Sequence, residues 1–377
     1  MNFTNIISKF CIDADLSTIM PYGSGHINDT FFIQHRSKHL PGYLLQRVNH
    51  NVFKDVPSLM SNIHLVTMHL KSKLSEALAT DDTDVLSLIN TEDGRYYYHD
   101  DAGNYWRMYG YIENTKSIDQ VESSQQAYQG GKAFGVFQTL LFDMDIDLLH
   151  YTIPDFHHIG KRLSQLNEAI QTNPQNRKKY VVSEIEFIME RTERMLTLQK
   201  LAEQGKIPLR ITHNDTKFNN LLFNNDNKVK CVIDLDTVMP GYVAFDFGDA
   251  IRTIINTAPE DEKDLDQINL NMPLFKAFTE GYLTATARFL TQDEIKSLSL
   301  AVLLFPYMQA VRFLTDYLNG DVYYKVQFSE HNLQRTRAQL QLLKKLEEQF
   351  AEIEEFISAT ASLALKSDIN TNSSATA

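Results

Sequence analysis

The sequence predicts an α+β chain in two lobes, a small β-rich lobe over residues 1–112 and a larger, mostly helical lobe over 113–358, with a disordered tail over 359–377. Three observations predict it. Up to residue 112 the apolar residues fall in short runs rich in Val, Ile, Phe and Tyr, separated by Gly, Asn and Pro, as in antiparallel strands with tight turns. From residue 126 onward apolar residues recur at three- and four-residue spacing, the period of amphipathic helices. Between helical stretches lies Thr212 to Asp249, which crowds His, Asn and Asp between short apolar runs to a degree no plain core would carry.

The 377 residues and 43% hydrophobic content suffice for a sizeable core. A net charge of −12 argues against nucleic-acid and membrane partners, which need a basic surface, and points to a small molecule. No run reaches the roughly 18 apolar residues of a membrane span, and the first residues lack the basic start and apolar run of a leader. A cytoplasmic location is therefore expected. Cys11 and Cys231 are the two cysteines; Cys231 sits in an apolar strand as a small hydrophobe, and no disulfide is expected.

In the small lobe, Phe3, Ile6, Ile7, Phe10 and Cys11 have helical spacing and predict a short helix within residues 1–15. Ser17–Tyr22 and Asn28–Ile33 read as strands joined through Gly23-Ser24-Gly25. Tyr43–Val48 is a third strand, and a helix over 57–74 follows. Strands at 85–89 and 95–98 flank the turn formers of 90–94, and the alternating stretch from Tyr105 to Glu113 is a further strand with Trp106 in the core. The polar stretch Asn114–Asp119 is the expected hinge.

His213, Asn214, Asp215 and, five residues on, Asn220 have the spacing H-x-D-x-x-x-x-N. In a catalytic loop of that pattern the Asp accepts a hydroxyl proton and the Asn holds a metal ion. Asn214 stands where Arg is usual. Leu221–Phe223 and Lys228–Ile233 flank Asn224–Asn227 as a hairpin that returns the chain so that Asp234 lands beside Asn220. Asp215 is thus the expected base, and Asn220 and Asp234 the expected holders of Mg2+ against the phosphates of ATP. Asp236 is expected to support the metal, while Asp246 and Asp249 cap a helix and tie down the loop, with Arg252 as an ion-pair partner.

The helical lobe is expected at 126–143, 159–170, 184–204, 272–290, 298–318 and 332–357. Gly130, Gly131 and Gly135 permit close approach of another helix. His157 and His158 lack carboxylates at metal-ligand spacing and read as surface or capping residues. Arg312 in an apolar helix needs an acceptor, either Asp316 one turn on or a bound substrate. The last helix reads as docked on its own lobe, so a monomer or weak homodimer is expected.

These residues carry a resemblance. His213-Asn214-Asp215, Asn220 and Ile233-Asp234 resemble the aminoglycoside phosphotransferase-like kinases, a branch of the protein-kinase fold that phosphorylates small molecules. The similarity runs from about Ile19 to Leu346 and includes Pro21–Asn28, Trp106-Arg107 and Arg312–Leu318. THNDTKFNN, VIDLDTVMPG and FDFGDAIR are most similar to members that phosphorylate N-acetylhexosamines at the anomeric hydroxyl. The resemblance implies a bilobal kinase-like fold, ATP and Mg2+ as cofactors, a sugar substrate, and His26, Arg312 and Tyr323 holding that sugar. Gly23 and Gly25 would present backbone amides to the phosphates, and Tyr111, Ile112 and Glu113 would offer backbone groups to adenine. The chain departs from the pattern at Gln46, which occupies the third-strand position where such kinases carry a phosphate-binding lysine, and Arg47 faces the other way. A glutamine amide can still donate to phosphate. Two alternatives stand beside the main reading: an aminoglycoside, choline or homoserine-type kinase of the same fold, and a nucleotide-binding pseudokinase.

Overall fold

The alternating apolar residues of the first third fold as an antiparallel sheet in the computed structural model, which describes residues 3–23, 27–76 and 83–374, with side chains as far as Lys366. In chain order the elements are helix α1 (Phe3–Ile7), strands β1 (Ala14–Pro21), β2 (Asp29–His35) and β3 (Tyr43–Val48), and helix α2 (Val56–Glu76). Strands β4 (Tyr98–His99), β5 (Tyr105–Gly110) and β6 (Lys116–Ser117) precede helices α3 (Ser124–Leu140), α4 (Ile159–Thr172), α5 (Val182–Met195) and α6 (Thr197–Glu203). Four short strands follow, β7 (Arg210–Thr212), β8 (Leu221–Phe223), β9 (Val229–Val232) and β10 (Met239–Gly241). Helices α7 (Val243–Ile255), α8 (Met272–Thr286), α9 (Gln292–Asn319), α10 (His331–Glu348) and α11 (Phe350–Ser374) complete the chain.

These elements form two units, each assembled from three segments. The first takes Met1–Ile118, Leu140–Pro154 and Asn219–Pro240; the second takes Asp119–Thr139, Asp155–Phe218 and Gly241–Ala377.

In the first unit the sheet runs β1-β2-β3-β5-β4, and its β3–β5 register sets Gln46 opposite Arg107. Trp106, Ile33, Leu45 and Met108 bury one face against Ile6 and Ile7 of α1. The Trp106 indole donates to Asp100 at 2.8 Å, so its polar edge is satisfied as its rings are buried. Of the strands expected at 85–89 and 95–98, the first is reduced to a bridge and the second is displaced to β4 at Tyr98–His99. Leu88 and Thr91 make only isolated bridges, to Tyr109 and Phe10. The reason is local: the Thr91 backbone N–H and hydroxyl both donate to the Arg95 carbonyl, closing a turn where a ladder would have to start. A second sheet, β6-β8-β9, holds the hairpin after the catalytic loop. There Asn224 Oδ1 accepts from the amides of Asp226 and Lys228, and Asn227 takes the left-handed conformation at φ 56°.

The second unit is a helical bundle around α9, against which α4, α7, α10 and α11 pack. By length and composition α9 could cross a membrane, but it is largely buried inside this bundle. A reciprocal Thr291–Glu294 capping box starts it and Gly320 ends it at φ 101°. Where α3 crosses α8 the backbones touch. A Cβ on Gly131 would lie 2.1 Å from the Phe278 carbonyl oxygen, and one on Gly281 2.1 Å from that of Tyr128. The helix expected at 184–204 is divided at Leu196, and that expected at 332–357 at Gln349. Order also continues past residue 358, because α11 runs to Ser374. Ile353, Ile357 and Ala361 bury one stripe of it, and the Ala- and Leu-rich residues that follow favour helix.

Gly281→Ala is expected to lower unfolding stability by about 1–3 kcal/mol through overpacking of the α3–α8 crossing. The readout is a reduced urea midpoint at constant m, and an unchanged midpoint would show that the two backbones can separate without cost.

Candidate active site

The loop from His213 to Asp215 is held by one carboxylate of the second unit. Asp246, at the start of α7, accepts the backbone N–H of His213 at 2.9 Å on one oxygen and that of Asn214 at 2.7 Å on the other. Gln138 donates to it at 2.6 Å and is itself fixed by the Tyr282 hydroxyl at 3.0 Å. Burial pushes the Asp246 carboxyl up from its ordinary range against the pull of these donors. Asn214 has φ 63°, a left-handed conformation that asparagine tolerates far better than most residues, which accounts for its place in a position where arginine is usual. Gly241 must lack a side chain, since a Cβ there would stand 2.2 Å from Thr212 Oγ1. Thus the tie predicted for Asp246 is present, but neither it nor Asp249 caps α7, whose N-cap is Tyr242, and the Asp249–Arg252 pair forms at 3.3 Å, extended to Glu260 at 2.8 Å.

Asp215 leaves this scaffold with its side chain 25% exposed, within reach of a ligand, and Lys217 Nζ lies 2.8 Å from it. The Asp215 charge holds the Lys217 ammonium above its usual range. Lys217 was legible two residues after Asp215, but the loop pattern does not include it. The two adjacent histidines divide their work. His158 caps α4 by accepting the Lys161 amide. His157 Nε2 donates to the Asn214 carbonyl at 3.0 Å, and burial pushes its pKa down to about 3. The imidazole is therefore a neutral brace for the loop.

In the first unit, the Ile233 N–H donates to the Asn220 carbonyl at 2.9 Å, which sets Asp234 beside Asn220 as the hairpin predicts. Asp234 sits in the left-handed region at φ 59°. An amide oxygen and a carboxylate are hard donors that fit a divalent cation sharing its remaining positions with phosphate and water. Asp236, expected to support the metal, is engaged by other partners. It forms a buried ion pair with Arg107 and accepts from Asn28 Nδ2 at 2.8 Å. Gln46 donates to Thr30 at 2.9 Å and accepts from Arg107 Nε at 2.9 Å, so both ends of its amide are engaged. Gly23 has φ 76° with open space where a Cβ would be. Gly25 and His26 lie outside the described residues. The Tyr111 N–H is bonded to the Gly42 carbonyl and its hydroxyl meets that of Tyr22 at 3.2 Å; the Ile112 carbonyl accepts from Thr115, and Glu113 is exposed.

Arg312 and Tyr323 line one pocket of the second unit, about 430 Å³, together with Arg162, Glu168, Asp316 and Tyr324. Arg312 does not pair with Asp316, contrary to one of the two acceptors its sequence position offered. Asp316 instead accepts the backbone N–H groups of Val322, Tyr323 and Tyr324 at 2.8–3.0 Å and the Asn332 amide at 2.9 Å, folding the chain beyond α9 into a tight cap. Arg312 lies over the Phe156 and Tyr324 rings at 5.9 and 5.6 Å and bonds Gln309. Burial, reinforced by Arg312, lowers the neighbouring Arg162 below its ordinary pKa. Arg162 Nε and the Tyr324 hydroxyl are buried with no hydrogen-bond partner.

A carboxylate on a rigidly tied H-x-D loop, followed by an Asn–Asp pair of hard oxygen donors, defines a phosphotransferase of the protein-kinase fold. The chain belongs to the phosphotransferase enzyme family, whose model matches residues 18–288, and is on that ground a small-molecule kinase. Solved structures bear out the fold. An aminoglycoside phosphotransferase from Alicyclobacillus acidocaldarius matches at 13% identity and TM-score 0.58, over 96% of both chains. The amicoumacin kinase hAmiN, in complex with AMP-PNP and Ca2+, matches at 11% and 0.59 over 90% of this chain and 92% of that one. A choline kinase from Cryptosporidium parvum matches at 18% and 0.53, over 92% and 97%.

His157 yields a pH prediction. Its folded pKa of about 3 lies below the unfolded value of 6.5, so between those limits the unfolded chain binds a proton that the folded chain refuses. Stability contributed here is complete above pH 6.5 and lost as pH falls towards 3. His157→Gln, which keeps an N–H donor, should shrink the difference in urea midpoint between pH 7 and pH 5, and an undiminished difference would assign the acid sensitivity elsewhere.

Proposed function

We infer that the protein is an N-acetylhexosamine 1-kinase, transferring the γ-phosphoryl group of ATP to the anomeric hydroxyl of N-acetylglucosamine or N-acetylgalactosamine. The observation that carries this reading is the chemistry of the Arg312–Tyr323 pocket. Two arginines face it, its Asp316 carboxylate is saturated by backbone amides, and two buried donors, Arg162 Nε and the Tyr324 hydroxyl, lack an acceptor. Glu168 is the one carboxylate of that lining not engaged in this way. Cationic acceptors such as choline or an aminoglycoside want several carboxylates, whereas a neutral sugar with an acetamido carbonyl offers the oxygens that unpaired donors need.

In this reading Asp215 takes the proton of the anomeric hydroxyl as its oxygen forms the new bond to phosphorus and the bond to the ADP oxygen breaks. The anomeric hydroxyl is more acidic than an ordinary alcohol, so a carboxylate suffices. Lys217, 2.8 Å from Asp215, keeps that carboxylate oriented and adds positive charge where negative charge builds. Asn220 and Asp234 would hold Mg2+, which when bound neutralises phosphate charge and fixes its geometry. The amide of Gly23, with Gly25, serves the phosphates, Gln46 stands behind them, and adenine is served by the backbone groups of Tyr111, Ile112 and Glu113 other than the Tyr111 N–H and the Ile112 carbonyl, which Gly42 and Thr115 engage. His26, Arg312 and Tyr323 hold the sugar.

ADP release with ATP and Mg2+ against N-acetylglucosamine, N-acetylgalactosamine, glucose, galactose, an aminoglycoside and choline is the deciding assay, with phosphorus NMR of the product. Activity on the acetylated sugars with an anomeric phosphate is expected. Turnover confined to a cationic acceptor would overturn the substrate, and nucleotide binding without any acceptor-dependent turnover would favour a pseudokinase. Asp215→Asn should lower kcat by about 10²–10⁴-fold, and a loss under about tenfold would remove it as the base.

A further inference from the structure

Kinases of this fold set a lysine on the third strand against the nucleotide phosphates and pair it with a glutamate from the following helix. This chain lacks both members. Gln46 holds the strand position, and α2 carries no glutamate before its last residue, Glu76. In the middle of α2 stands Asn62, which donates to the backbone carbonyls of His150 and Val238 at 2.7 and 3.0 Å, a structural anchor with no charge. Loss of one member would leave its partner unpaired; loss of both points to a different ion pair in the same place.

The first unit contains one. The β3–β5 register puts Arg107 opposite Gln46, and the guanidinium reaches past the Gln46 carbonyl oxygen to Asp236, with the two side chains only 2% and 3% exposed. Asp236 follows Asp234 by two residues, and both carboxylates act on Arg107; burial works against its charge, but they outweigh it and hold the pKa above the ordinary value. Asn28, just before β2, donates to the same Asp236. Asn28, Gln46 of β3 and the segment after β9 therefore converge on one buried ion pair, Arg107–Asp236. A buried ion pair is a poor device for stability, since its desolvation cost rivals its attraction. An arginine cannot neutralise itself by losing its proton, so the charge persists when buried.

We propose that Arg107 is the fixed positive charge of the nucleotide-phosphate site, with Asp236 as its anchor, the pair standing in for the absent lysine and glutamate. Gln46 orients the guanidinium through Nε, and Asp236 holds Nη1, so the guanidinium N–H groups not engaged by these two residues meet phosphate oxygens. The proposal concerns the nucleotide and is independent of which acceptor the enzyme takes.

The test is the affinity of Arg107→Met, Arg107→Lys and the double variant Gln46→Lys/Arg107→Met for ADP with Mg2+ and for adenosine, by titration calorimetry, with thermal melts to confirm folding. Adenosine lacks phosphates and serves as the control. Arg107→Met should weaken ADP by about 10- to 100-fold while leaving adenosine within about twofold. Arg107→Lys and the double variant, which return a cation to the site, should recover part of the loss. Equal weakening of ADP and adenosine would make Arg107 a structural residue only, and unchanged ADP affinity in a folded Arg107→Met would remove it from the site. Should that variant fail to fold, the charge-balanced Arg107→Met/Asp236→Asn is read by the same ratio, with the same two outcomes against the proposal.

Discussion

One carboxylate, Asp246, makes the catalytic loop possible. The loop is neither helix nor strand, so its buried amides have no ladder to join, and each amide left without a partner would cost about 1–3 kcal/mol. Asp246 takes two of them in succession, and its own position is fixed by Gln138 and in turn by Tyr282. The geometry around this tie is equally determined: no side chain at residue 241, a left-handed residue at 214, and a neutral His157 on the Asn214 carbonyl. Asp215 follows directly on these immobilised residues, and Lys217 is paired with its carboxylate at 2.8 Å.

A chain with a net charge of −12 has no long-range attraction for a polyanionic nucleotide. Its positive charges beside the candidate site are placed locally. Lys217 is set against Asp215, Arg107 is locked by Asp236, and Arg162 and Arg312 stand together at the pocket of the helical unit. Each of the first two cations is held by a carboxylate, which fixes its direction. The third pair lacks that restraint, and it is where donors remain unpaired.

What was legible in the sequence follows from the range of the interactions involved. The H-x-D-x-x-x-x-N spacing and the hairpin that returns Asp234 to Asn220 are local, written in about twenty consecutive residues, and the structure builds the hairpin as expected. The glycines of α3 announced a close helix crossing, though their partner glycine in α8 could not be read from them. The pairing of Arg107 could not be read because its partner is 129 residues away and is set by a strand register. The Arg312–Asp316 pair was a plausible guess from helical spacing, but the backbone amides beyond α9 compete for the same carboxylate and win by number. His157 and His158 are neighbours in sequence with unrelated duties, and only three-dimensional surroundings distinguish a brace from a cap.

The segmented make-up of the two units bears on how the chain is born. The sheet-bearing unit recruits Leu140–Pro154 and Asn219–Pro240, and the helical unit begins at Asp119 and ends at the C-terminus. During synthesis the first hundred residues leave the ribosome without the strand pair that carries Asp234 and without Asp236, the counter-ion of Arg107. Until that later stretch emerges, a charged guanidinium destined for the interior has no partner, which disfavours premature closure of the sheet around it. The Arg107–Asp236 pair of the folded unit can close only once the chain has been made as far as residue 236.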